Sequence, residues 1–289
     1  MSLLPNYPQP ANRSNHLHRT TPPYDQISVL TSLILIGIVL FLVVHVPTWT
    51  LATMPLGSPL ALHVSGNWLV ALILVGLACT GTDSVIRCHP RSQAGELPYT
   101  FVFWILPGLV TLLAALLLPR APSTPYWLMG LATTAALISL VVAAEYRAVD
   151  PTDPAYRLAR LGLNLTTYLT ALGLFIVIYA SKLRSLITAT VTLACASLLA
   201  LDLLRDAPQP MRRRILYALI VGLLLGESVW ALNYWQGSNF TVGGLLLLLF
   251  YIATGVAQQH LQENLTRRTL IEFAAVGAIG AIILLRYSP

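Results

Sequence analysis

The chain predicts an all-α, polytopic transmembrane helical bundle of about nine helices, N-terminus inside and C-terminus outside. Three observations predict it. Nine apolar segments recur along 289 residues. The composition is 56% hydrophobic and only 10% charged, with a mean hydropathy of +0.72, against about 25% charged residues in soluble domains. Such a chain cannot cover itself with polar surface in water, so its natural solvent is the lipid bilayer. The Lys and Arg residues fall mainly on every second connection, which gives the bundle a direction.

Residues 1–25 are polar and Pro-rich and contain no apolar stretch. They predict a disordered cytoplasmic tail rather than a signal peptide. Residues 26–289 form the transmembrane domain. Its first span is expected over about 27–46. The second, over 61–82, is more polar and has His63, Ser65 and Asn67 near its start. The third, over 100–118, contains Pro107 and Gly108. Proline removes one backbone hydrogen bond, so a kink is expected there. The fourth covers 126–144 and opens with Tyr126 and Trp127. The fifth and sixth, 161–180 and 186–204, are joined by the short SKLRS connection. The seventh covers 215–234, the eighth 242–258 and the ninth 269–285.

Most of these runs approach the roughly 20 residues needed to cross about 30 Å of hydrocarbon. They are too long and too uniformly apolar for barrel strands, which alternate. Gly222 and Gly226 form a GxxxG in the seventh span, and Gly277 and Gly280 a small-residue patch in the ninth. Small residues let helices approach closely.

With the N-terminus inside, thirteen of the seventeen basic residues lie on inside segments. Arg212, Arg213 and Arg214, before the seventh span, are the strongest anchor, because cytoplasmic loops are enriched in Lys and Arg. Lys182 and Arg184 in SKLRS run against the pattern. The net charge of +6 is explained by this asymmetry. Nucleic acid is not expected as a partner, since no basic, aromatic-interleaved soluble face is present. The Arg-, Ala- and Leu-rich composition suggests a prokaryote, and with it the cytoplasmic (inner) membrane.

Charged groups within a membrane are costly and are functional candidates by default. Most acids here have a local partner in sequence. Asp83 precedes Arg87 by four residues, Asp202 precedes Arg205 by three, and Glu272 follows Arg268 by four. These spacings share a helix face. Glu145 has Arg147 nearby, two residues on and therefore off its face. Asp25, Glu96, Asp150, Asp153, Asp206 and Glu263 read as tail or loop residues.

Glu227 differs. It follows Arg214 by thirteen residues, about 20 Å along a helix. No basic residue neighbours it on its own helix, so it is expected to face other helices or a wet cavity, or to be protonated. Trp230 shares its face. His45, His63, Asn67 and Asn233 are expected at similar depth, and with Glu227 and Trp230 they make a candidate site for a proton or ligand. Trp68, Trp127, Trp230, Trp235 and Tyr126 also read as an aromatic belt at the outer interface.

The sequence carries no Walker A, HExxH or GxSxG motif, and no GxGxxG beside a strand. Cys79, Cys88 and Cys195 have no metal-type spacing. No catalytic residue, cofactor or metal is therefore expected. The first functional expectation is a non-enzymatic accessory or scaffold subunit, working with a membrane protein partner or as a homo-oligomer. The alternative is a transporter or binding protein for a small or lipid-like ligand that uses Glu227. A lipid-modifying enzyme with Glu227 as acid or base is a third reading, resting on one carboxylate.

Overall fold

The computed structural model describes residues 21–43, 49–53, 60–64, 66–97, 99–182, 185–235, 237–264 and 266–286. The expected tail of residues 1–25 lies mostly outside them. Nine long helices are present among the described residues: α1 (Tyr24–Val43), α2 (Gly66–Arg87), α4 (Val102–Leu117), α5 (Thr124–Arg147), α6 (Tyr156–Ala180), α7 (Ser185–Leu203), α8 (Met211–Leu232), α9 (Asn239–Leu261) and α10 (Arg267–Arg286). A four-residue helix, α3 (Pro90–Gln93), lies between α2 and α4. Eight of the long helices, α1 to α9 without α3, are long and apolar enough to cross a membrane. The ninth, α10, is a 20-residue helix built on LIEFAAVGAIGAIILL. The molecule is a polytopic helical bundle, and its helices imply a lipid environment.

Several helix starts carry recognisable local signals. Proline stands in the first turn of α3 and α5, where its missing N–H costs nothing. Ser238 caps α9, its hydroxyl accepting the Thr241 N–H at 3.1 Å. Helix α4 runs through Pro107, and the Thr111 hydroxyl donates to the Pro107 carbonyl at 2.8 Å.

One element departs from the expectation. Trp49–Thr53 (β1) and Leu60–Val64 (β2) form an antiparallel hairpin, with Trp49 opposite Val64 and Leu51 opposite Leu62. The second span therefore starts as a helix at Gly66 rather than at 61. The strand residues WTLAT and LALHV are β-branched, aromatic and leucine-rich, and they flank the turn-type sequence MPLGSP.

Helix α4 lies at the centre, packed on α2, α5, α6 and α7, while α1 packs on α2 and α5. Helix α8 packs on α7 and α9, and α10 on α9. The core is one continuous cluster with Ile34, Ile86, Leu106, Ile138, Leu174, Phe175, Leu199, Leu225 and Phe250 fully buried.

Both glycine patches sit at helix contacts. A Cβ on Gly222 would stand 2.6 Å from the Leu193 carbonyl oxygen of α7, and one on Gly226 3.1 Å from the Ala189 carbonyl oxygen. The GxxxG thus lets α8 approach the backbone of α7 itself. Gly277 and Gly280 receive Ile252 and Leu248 of α9.

Candidate functional site

Glu227 does not face the bundle. It is exposed on α8, on a stripe with Leu216, Leu219, Ile220, Leu223, Leu224 and Trp230. The opposite stripe, Ala218, Val221, Gly222, Leu225 and Val229, is the buried one. Among the described residues of this chain no helix covers the Glu227 face, and the sequence could not indicate which face would be covered because the helix is apolar all round. Spacing shows which residues share the Glu227 face but not which face the neighbours cover. Among the described residues Glu227 has no hydrogen bond or ion pair.

The other expected site residues do not join it. His45 lies outside the described residues. His63 stands in β2 opposite Thr50, and Asn67 is the second residue of α2. Helix α2 packs on α1, α4 and α5, whereas α8 packs on α7 and α9, so Asn67 and Glu227 sit on helices that are not principal neighbours. Asn233 ends α8, its N–H bonded to the Val229 carbonyl at 3.0 Å, and its side-chain Nδ2 is buried without a partner among the described residues. Beside it the Tyr179 hydroxyl donates to the Trp235 carbonyl at 3.0 Å, tying α6 to the α8–α9 turn.

The buried charges gather elsewhere, at one end of the bundle, where α5 and α7 end and α6 begins. Glu145, two residues before the end of α5, is fully buried. Arg205 follows α7 in a turn, and its Nη1 lies 2.5 Å from Glu145 Oε2 and 3.3 Å from Asp202 Oδ1. Its guanidinium carbon stands 5.1 Å from the centre of the Phe103 ring. The Thr167 hydroxyl lies 3.0 Å from Asp202 Oδ2 and 2.9 Å from the Leu163 carbonyl, so its one proton serves both. The buried Arg160, in the second turn of α6, pairs with Asp206 in the turn after α7. Among the described residues, Glu145 Oε1, Asp202 Oδ1, Arg160 Nη1 and Arg205 Nη2 are buried with no hydrogen-bond partner. Burial works against the charge on Arg205, but the Glu145 and Asp202 carboxylates outweigh it and push its pKa up.

Arg214 completes this end. Its Nη1 donates to the Arg205 carbonyl at 2.5 Å and its Nε to the Gln209 carbonyl at 2.7 Å. One member of the Arg212–Arg214 cluster therefore holds the α7–α8 turn. The two longest connections on this side are also fastened to one another. Arg91 reaches Glu96 at 2.8 Å, Asp150 at 3.4 Å and the Val149 carbonyl at 3.4 Å. His89 is 1% exposed, packs edge-on to Tyr146 with ring centres 4.8 Å apart, and accepts the Arg91 N–H on Nδ1 at 3.2 Å. That bond places its proton on Nε2, which is buried without a partner among the described residues. Burial lowers the His89 pKa below its ordinary 6.5.

Sequence spacing anticipates three of these pairs: Asp83–Arg87 at 2.5 Å, Asp202–Arg205 at 3.3 Å and Arg268–Glu272 at 3.0 Å. It misses the deepest one. Glu145 and Arg205 are sixty residues apart, whereas Arg147 turns away toward the Tyr24 hydroxyl at 3.5 Å. The available signal is an acid near the end of one span and an arginine just after another, on connections at the same end of the bundle. Among the described residues no group of three His, Cys, Asp or Glu side chains is placed to hold a metal ion.

A family model described as "Protein of unknown function (DUF5656)" matches residues 46–287. No curated protein matches the chain, and no solved structure matches it.

Proposed function

The chain belongs to this family of unknown function, and we propose that it is a non-enzymatic accessory or scaffold subunit that docks another membrane-embedded chain on the outward face of α8. The orientation proposed with it is N-terminus inside and C-terminus outside, in the inner membrane of a prokaryote. The charge-bearing end, with Arg91, Arg160, Arg205 and Arg214, is then cytoplasmic, in keeping with the positive-inside rule.

The observation that carries the reading is the exposed Glu227. It lies about 20 Å along the helix from Arg214, within the depth of hydrocarbon that α8 crosses. A carboxylate turned toward lipid is expensive, and such groups pair with other polar groups. A neighbouring helix with a polar or basic group at that depth satisfies it and covers Ile220, Leu223 and Leu224, which are also exposed. The buried charges support the same reading. Glu145, Asp202 and Arg205 pair with one another, and Arg160 with Asp206, which makes them fastenings between helices.

Cysteine crosslinking in native membranes tests it. Ile220→Cys and Leu224→Cys are expected to crosslink to one discrete second chain, and Leu72→Cys, on the exposed side of α2, is not. Crosslinks from Leu72 and none from α8 would contradict the reading.

A further inference from the structure

A groove of about 790 Å³ runs down the outside of the bundle between α5 and α6, with Tyr24 and Ile27 of α1 also lining it and Tyr24 beside Arg147. It falls in the size range of ligand sites. Its rim is formed by Leu140, Leu158, Leu161 and Leu165, each at least 62% exposed. Its polar wall residues are already engaged. Ser139 shares a hydrogen bond with Thr31 at 3.0 Å, and the Thr166 hydroxyl donates to the Gly162 carbonyl at 2.9 Å.

The length and ends of the groove identify its occupant. On α5 it extends from Ala136 to Arg147 and on α6 from Ala155 to Thr166. Eleven residues of helix rise about 16 Å, close to half of the roughly 30 Å hydrocarbon thickness. The groove therefore covers one leaflet. Its apolar end lies near the bilayer middle and its other end at the α5–α6 connection, where lipid phosphates stand. Arg147 lines that end, and Arg157, exposed in the first turn of α6, precedes the lining residue Leu158 in the chain. Neither has a carboxylate partner among the described residues. Among the described residues Arg147 has only the Tyr24 hydroxyl, at 3.5 Å. Two arginines without counter-ions at phosphate depth, above an apolar trough one leaflet long, form a receptor for an anionic phospholipid.

We infer that the α5–α6 groove holds one anionic phospholipid, its acyl chain along Leu140, Leu158, Leu161 and Leu165 and its headgroup on Arg147 and Arg157. The site is independent of the α8 face and stands or falls apart from it.

The test is native mass spectrometry of the full chain, purified with phosphatidylglycerol or with phosphatidylcholine of the same chain length. One phosphatidylglycerol is expected to remain bound, and phosphatidylcholine is not. Arg147→Gln with Arg157→Gln is expected to weaken phosphatidylglycerol retention roughly tenfold and abolish the headgroup preference. Gly162 lines the groove, and a Cβ there meets nothing within 4 Å. Gly162→Phe should therefore fill the trough and displace lipid while the melting temperature holds. Equal retention of both lipids by the wild type, or an unchanged preference in the arginine variant, would overturn the inference. So would full lipid retention in Gly162→Phe. A second copy of the chain bound over Leu158 in place of lipid would also overturn it.

Discussion

Arg205 Nη1 and Glu145 Oε2 are 2.5 Å apart, joining the turn after α7 to the end of α5 across sixty residues of chain. Both side chains are almost completely enclosed, and Asp202 shares the same guanidinium. Replacing such a pair with well-packed apolar groups is often neutral, but removing one partner leaves a buried charge without its counter-ion, at a cost of about 3–5 kcal/mol. Arg205→Ala is expected to lose stability on that scale, measured as melting temperature in detergent. The double variant Glu145→Leu with Arg205→Leu should lose less than Arg205→Ala alone. A double variant that falls by the sum of two large single effects would show that the residues do not act as a pair.

The α7–α8 contact makes a second expectation. Gly222→Ala forces a methyl group against the Leu193 carbonyl oxygen, 2.6 Å away in the present backbone. Separating the helices should cost about 1–3 kcal/mol. Gly76→Ala on the exposed side of α2 meets nothing within 4 Å and is expected to be neutral or stabilising by up to about 1 kcal/mol. Thermal unfolding of the two variants side by side reads the difference, and equal melting points would contradict the close approach.

His89 gives the fold a pH dependence. Its pKa is lowered in the folded protein, first by burial. The unfolded chain therefore binds the proton more readily, and stability rises with pH through that window. The contribution is fully present above about pH 6.5, the ordinary value, and is lost as pH falls below it. Asp150 adds a loss at more acidic pH. Burial alone would raise its pKa, but hydrogen bonds from Thr152, with Arg91 nearby, hold it below the usual range. His89→Asn keeps an acceptor for the Arg91 N–H but cannot titrate. Its unfolding profile between pH 5 and 7 should be flatter than that of the wild type, and an identical profile would refute this assignment.

The proposed orientation has its own check. A periplasm-active reporter fused after α10 is expected to be active, and one fused in the α7–α8 turn beside Arg212 silent. The reverse pattern would invert the bundle and place the lipid groove in the outer leaflet.

The helices were legible in the sequence because crossing hydrocarbon demands long apolar runs, and all nine expected segments correspond to helices. What packs against what was far less legible. Lipid and protein interiors are equally apolar, so α8 shows no polar stripe to mark its outer side, and the sequence could say only that Glu227 needs other helices, a wet cavity or a proton, not which face of α8 the bundle covers. The Glu145–Arg205 pair escaped because sequence spacing detects partners on one helix and not across a bundle. The hairpin escaped because an apolar run at 61–64 reads equally well as the start of a span. Asp83–Arg87 and Asp202–Arg205 were legible because three and four residues make one face.

The most direct test of the central claim is the mass of the protein gently extracted from its native membrane, for the wild type and for Glu227→Leu. The account predicts a stoichiometric second protein chain on the wild type that the variant loses while its own abundance holds. A single chain carrying nothing but lipid, in both, would contradict it.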